Sequence, residues 1–169
     1  MESLVSYLAY SPSLIYCCDN EYGSKIEQRN KMSRIICIDY GGKRTGIAVT
    51  DPLQIIATGL TTIDTPKLIT FLKDYISKEQ VERILIGMPL NLDDTPTHAT
   101  PLVQKAIQQL TKNFPHIPVE EIDERFSSKL AKQAMLDMGM KKMQRRDKKL
   151  VDEIAATILL QEYMLQRGV

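Results

Sequence analysis

Acidic residues fall at three places where a folded chain could bring them together. Asp39 closes the apolar run Ile35-Ile36-Cys37-Ile38. Asp123 and Glu124 end another stretch, in "EIDERFSS", and Asp152 sits early in "KKLVDEIAATILL". Carboxylates gathered at one site repel each other and are costly to keep ionised together. A hard divalent cation removes that cost, because it takes oxygen ligands and keeps waters for chemistry. Two such ions about 4 Å apart can stabilise both the attacking and the leaving oxygen of a phosphodiester. Each acid also has a plainer use. Asp39 precedes a glycine turn and suits one, Asp152 can complement a helix N-terminus, and Glu124 can pair with Arg125. Spacing alone leaves these alternatives open.

The elements that must position these acids follow from periodicity. Ile35–Ile38 has the length and branching of a buried strand. Gly41 and Gly42 supply a tight hairpin, and "RTGIAVT" returns as a second strand in which Gly46 lets another backbone or a ligand come close. "QIIATGLTTI" (54–63) reads as a third strand. Thr65-Pro66 has the form of a helix cap with proline at the first helical position, and Leu68, Ile69, Leu72, Tyr75 and Ile76 follow at helical spacing to about Ser77. "RILIGMP" (83–89) is a short apolar strand, and "LNLDDTPTHAT" (90–100) is a polar loop. Thr100-Pro101 repeats the cap signal ahead of Leu102, Val103, Ala106, Ile107 and Leu110. "IPVEEID" (117–123) is a further strand. Ser127 or Ser128 caps a helix through Met138 that Gly139 ends. A linker, 141–147, leads to a last helix from about Lys148 to Gln166. There Val151, Ile154, Ala155, Ile158 and Leu159 form the apolar stripe, Asp152 borders it, and the alanines let the helix lie close to a sheet. The order β-β-β-α-β-α-β-α-α predicts an α/β fold, a mixed sheet with helices on both faces.

At 169 residues, 43% hydrophobic and 25% charged, the chain is long enough for a substantial core without staples. No apolar run approaches the roughly 20 residues of a membrane span, and a cleaved signal peptide is not expected at this front. Cys17, Cys18 and Cys37 show no disulfide framework or metal-ligand spacing, which points to a reducing cytoplasm. Residues 1–31 hold four of the seven tyrosines and lack periodicity, so they read as an appended segment before a domain spanning 32–169. The net charge of +1 conceals a local excess: between Lys129 and Lys149 eight basic residues face two acidic ones. Such a stretch is either a solvated face or a patch for a polyanion. His98 and His116 read as ordinary loop histidines, Met135, Met138, Met140 and Met143 as helix packing, and Cys37 as a small core residue.

Taken together and in order, "IDYGGKRTGIAVTD", "ILIGMPLN", "DERFSSKLA" and "KKLVDEIAATILL" resemble the YqgF/RuvX family of RNase H-like nucleases, over about Met32 to Leu165. The resemblance implies an RNase H-like fold, a five-stranded mixed sheet with its second strand antiparallel, flanked by helices. It implies a metal-dependent nuclease using Mg²⁺ or Mn²⁺, linked in bacteria to 5′-end maturation of pre-16S rRNA. Position by position it makes Asp39, Asp123, Glu124 and Asp152 the catalytic, metal-binding acids. It sets Lys43 and Arg44 against phosphate, and Arg125 against phosphate or its acidic neighbours, and the basic residues Lys141, Lys142, Arg145, Arg146, Lys148 and Lys149 would join them on the nucleic-acid backbone. The partner is then a nucleic acid and not a membrane, with the protein a monomer or a homodimer. Three alternatives stand beside it. A Holliday-junction resolvase would need a dimer. A non-catalytic nucleic-acid-binding module would have no need of gathered acids. An actin-like phosphotransferase would need a second lobe for which the chain is too short. The loop after "GMPLN" lacks the glycine the family usually carries near Asp94, and the 31-residue front is atypical.

Overall fold

The computed structural model describes residues 32–90, 95–124 and 127–168. The appended segment 1–31, Asp94 and Arg125 lie outside the described residues. Strand β1 (Arg34–Tyr40) turns through Gly41 and Gly42 into β2 (Arg44–Thr50), and β3 (Ala57–Asp64) completes an antiparallel meander. A 3-10 turn (Thr65–Lys67) leads into α1 (Leu68–Lys78). β4 (Val81–Met88), α2 (Thr100–Asn113), β5 (Val119–Asp123), α3 (Ser127–Asp137), a 3-10 turn (Gln144–Arg146) and α4 (Lys148–Gln166) follow. The sheet order is β3-β2-β1-β4-β5, with β4 parallel to both β1 and β5. This is the mixed sheet that the element order predicts and the five-stranded form, second strand antiparallel, that the family resemblance implies.

The alternation of β1 sorts the core into two layers. Ile36 and Ile38 point to the face covered by α1 and α2, where they meet Leu68, Leu72, Val103, Ala106 and Leu110. Ile35 and Cys37 point to the opposite face, under α4, where Ala156, Leu159, Leu160 and Met164 cover them. Cys37 is fully buried, as a core residue should be.

Several local expectations give way to side-chain hydrogen bonds. The third strand begins at Ala57 rather than at 54, because the Asp51 carboxylate accepts the backbone N–H groups of Leu53, Ile55 and Ile56 and holds this stretch as a turn. Gln54 within it takes a φ of 57°, and Ile55 and Ile56 are exposed instead of alternating into a core. Neither threonine caps its helix. Thr65 Oγ1 donates to the Gly41 carbonyl at 2.6 Å, and Thr100 Oγ1 donates to the Pro89 carbonyl at 2.7 Å. Gly139 does end α3, at a φ of 67°, with its N–H on the Leu136 carbonyl and that of Met140 on Met135. Met135 packs in the core, whereas Met138 and Met143 are exposed. No helix among the described residues is long and apolar enough to cross a membrane.

Candidate active site

Parallel strands deliver their last residues to one end of a sheet, and here β1, β4 and β5 end together. Asp39 lies near the end of β1, opposite Gly46 of β2, on the α4 side of the sheet. A Cβ on Gly46 would collide with the backbone carbonyl of Asp152. The bare glycine therefore lets α4 sit against β2 and brings Asp152 over Asp39. Ala155 and Ala156, both buried, keep the next turn equally close. The opening at Gly46 thus admits a backbone, one of the two uses the sequence allows.

Glu124 reaches the same place from β5. Its carboxylate lies against Gly87, where any side chain on β4 would displace it, beside Leu159. Nothing in "ILIGMP" beyond an isolated glycine within a strand pattern signals this vacancy. Asp123, one residue earlier, is placed differently. Its register partner is Met88, whose side chain belongs to the α1/α2 layer, so Asp123 stands exposed on the opposite face from Asp39. The structure brings Asp39, Glu124 and Asp152 together and separates Asp123 from them.

The electrostatics of this cluster follow from its burial. Asp39 is raised from the ordinary 3.8 to about 6 by desolvation, with the nearby charge of Asp152 adding to the effect. Glu124 is raised from 4.5 to about 8, by desolvation first and then by the charge of Asp39. A hydrogen bond joins the two carboxyls, lowering Asp39 and raising Glu124. Those opposite effects mean that Glu124 keeps the proton and donates it to ionised Asp39. Burial pushes the Cys37 thiol well up, with Asp39 and Glu124 adding to it, so it stays an inert core group.

Asp152 is balanced by a different device. Arg44 Nε donates to Asp152 Oδ2 at 2.8 Å, with the two side chains 30% and 24% exposed. Partly solvated pairs of this kind are worth about 1 kcal/mol or less, so this one holds a geometry more than it stabilises the fold. Arg44, expected against phosphate, is thus engaged by an acid in the free protein. Asp39 is thus near both Glu124 and Asp152, but among the described residues no three acidic, histidine or cysteine side chains stand close enough as they are to hold a metal ion.

The remaining basic residues lie in the β1–β2 turn, in the linker before α4 and at the start of that helix. Lys43 is exposed in the β1–β2 turn, with its carbonyl bonded to Thr65 N–H. Lys149 fastens the start of α4 to β3, its carbonyl accepting from Thr62 Oγ1 at 2.7 Å, and its charge reaches Asp64, the register partner of Arg44. Asp147 caps α4 by accepting from the Lys149 N–H. Lys141, Lys142, Arg146 and Lys148 are exposed, while Arg145 turns its Nε to the Met140 carbonyl. His98 and His116 are both exposed and outside the cluster.

A mixed five-stranded sheet with acids at the carboxyl ends of its parallel strands, and one on the covering helix, defines the RNase H-like class. Among solved structures, "T. thermophilus RuvC in complex with Holliday junction substrate" shares the fold, with a TM-score of 0.51 and 16% identity over 80% of this chain and 96% of that one. The family model described as "RuvX: Holliday junction resolvase" matches residues 33–166, and the chain belongs to that family. It is 54% identical to a protein of Christiangramia forsetii named "Putative pre-16S rRNA nuclease", over 80% of this chain and the whole of that relative. A protein of the same name from Phocaeicola vulgatus is 55% identical over 79% of this chain and 96% of its own.

Proposed function

We infer that the protein is a divalent-metal-dependent nuclease that hydrolyses phosphodiester bonds in 5′-end maturation of pre-16S rRNA. One observation carries this reading: Asp39, Glu124 and Asp152 meet at one end of the sheet in a chain whose relatives bear nuclease names along nearly their whole length. The donor set is all oxygen and suits Mg²⁺ or Mn²⁺. Burial raises both carboxyls of the Asp39–Glu124 pair, and a divalent cation would answer the same electrostatic demand.

Asp39, Glu124 and Asp152 are the residues that would hold the ion, and Asp123 is set aside by its face of the sheet. When bound, such an ion activates water and stabilises the leaving oxygen of a phosphodiester. To hold the ion, Glu124 would have to be ionised and Asp152 would have to exchange Arg44 for the metal. Lys43, Lys148 and Lys149, exposed at or next to this end, hold phosphates of the backbone and set its register, as phosphate contacts do. Arg125 keeps the phosphate role that the family resemblance gives it. The same reading makes 32–169 the nuclease unit with 1–31 appended, and sets the protein to work in the cytoplasm. A second reading, Holliday-junction resolution, draws on the description of the family model and requires two sites in a dimer.

The test is cleavage of three matched substrates, a 5′-extended rRNA fragment, duplex DNA and a four-way DNA junction, with Mg²⁺, with Mn²⁺ and with EDTA. The RNA should be cut with either metal and left intact in EDTA. Preferential cutting of the junction would move the assignment to the resolvase reading, and cutting that survives EDTA would remove the metal from it.

A further inference from the structure

Arg44 is the first residue of β2, and its guanidinium reaches a carboxylate 108 residues further along the chain. The backbones on both sides of that pair are fixed. On one side, the β1–β2 turn is tied by Thr65 Oγ1 to the Gly41 carbonyl and by Thr65 N–H to the Lys43 carbonyl. On the other, the Asp152 carbonyl lies against Gly46, and Thr62 anchors the Lys149 carbonyl. These contacts tie the turn and the first turns of α4 to the sheet, so a change of partner falls to the side chains.

The Asp152 carboxylate therefore answers to two cations, the guanidinium it now meets and any divalent ion at the site. Arg44 answers to two anions, Asp152 and a phosphate of the backbone that Lys43 and Lys149 face. A guanidinium fork binds phosphate in a planar, two-bonded way, and the Nε that would take part is donated to Asp152 here. The pair is partly exposed and weak enough to exchange.

We propose that Arg44 is the built-in counter-ion of Asp152: it holds that carboxylate against a divalent cation in the free protein and is drawn away by a nucleic-acid phosphate, so that nucleic acid and metal promote each other's binding. This rests on the nuclease reading above. The coupling is reciprocal by thermodynamic necessity. Whatever lifts Arg44 from Asp152 strengthens the cation, and a cation that neutralises Asp152 frees Arg44 for phosphate.

Removing the guanidinium should then move two affinities in opposite directions, which a merely structural arginine would not do. Mn²⁺ binding is measured by titration calorimetry without nucleic acid, and single-stranded RNA binding by filter assay in EDTA, at one ionic strength. Arg44→Gln should bind Mn²⁺ about fivefold more tightly or better and bind RNA more weakly than the wild type. Arg44→Lys, which keeps the charge but not the fork, should stay near the wild type in Mn²⁺ binding and fall between the wild type and Arg44→Gln in RNA binding. Arg44→Met, which keeps the apolar stem, replaces the glutamine variant if that one fails to fold. Asp39→Asn should lose Mn²⁺ binding. Equal or weaker Mn²⁺ binding by Arg44→Gln, with Asp39→Asn still losing it, would discard the role of Arg44 and leave the metal site standing. Mn²⁺ binding that is absent, or indifferent to Asp39→Asn, would overturn the metal reading and this proposal with it.

Discussion

On the face covered by α1 and α2 the sheet offers Ile36, Ile38, Ile47, Ile84 and Ile86, and the helices reply with leucines. Under α4 the strands offer Ile35, Cys37, Ala48 and Leu85, with Gly46 and Gly87 beside the acids, and the helix replies with the small Ala155 and Ala156 ahead of Leu159, Leu160 and Met164. Fully burying one Ile or Leu contributes about 1.5–3 kcal/mol, so the first face supplies most of the hydrophobic stabilisation. The second gives part of that up for closeness. Small residues let helix backbone and strand backbone touch, and that contact brings Asp152 to Asp39 while Gly87 makes room for Glu124.

The sharpest way to break the contrast is to thicken the thin face and thin the thick one. Gly46→Ala puts a methyl group into the Asp152 carbonyl. Displacing a positioned carboxylate by about 1 Å can cost about 10²-fold in rate, against a stability cost of about 1–3 kcal/mol for overpacking. Leu110→Ala on the thick face should do the reverse. It removes a fully buried side chain and should cost about 2–5 kcal/mol, with cleavage per folded molecule unchanged below the melting range. Denaturant unfolding run beside single-turnover cleavage separates the two patterns, and equal ratios of the two effects would erase the distinction between the faces.

Next in size is the pH dependence of the metal-free fold. Asp39 and Glu124 are raised in the native state, to about 6 and about 8, from ordinary values of 3.8 and 4.5. Between those limits the folded protein binds more protons than the unfolded one. Stability from this pair is fully present below about pH 4 and is lost as pH rises through 6 to 8. In EDTA, thermal melts from pH 5 to pH 9 should show the wild type falling relative to Glu124→Gln, which carries no charge there. Added Mg²⁺ should recover the loss at the alkaline end, since a ligand of the native state alone stabilises it. Parallel curves for the two proteins would mean that the pair is not buried as described.

The smallest effect separates the acids from the linker between α3 and α4. Arg145→Ala with Arg146→Ala should weaken binding of all sequences alike and flatten the plot of log affinity against log salt by about one to two units. Turnover at saturating substrate should hold, because such contacts bind ground and transition states about equally. An unchanged slope would leave this linker as a solvated face.

Much of this was legible before any coordinates. The β-β-β-α-β-α-β-α-α order follows from periods of two and of 3.6; Asp39 stands out at the end of an apolar run and Asp152 at the border of the last helix's stripe, and the family resemblance makes both of them site acids. What was not legible depends on register and on distant partners. "ASP-GLU" order at 123–124 cannot say which acid faces Asp39, because one residue along a strand reverses the face; pairing with Met88 decides it. Ile55-Ile56 has the look of a strand, yet three N–H bonds to Asp51 hold it as a turn. Thr65 and Thr100 carry the local form of caps, but nearby carbonyls claim their hydroxyls. No local pattern could announce that Arg44 pairs with Asp152.

The central claim is that the thin face exists to hold costly carboxylates for chemistry, and Asp39→Asn tests it most directly. At pH 8 in EDTA the wild-type Asp39 is buried and ionised, so the variant should melt at the same temperature or higher. With Mg²⁺ or Mn²⁺ restored it should fail to cleave the RNA that the wild type cuts. Near-wild-type cleavage by Asp39→Asn, or a clear loss of its metal-free stability, would contradict the account.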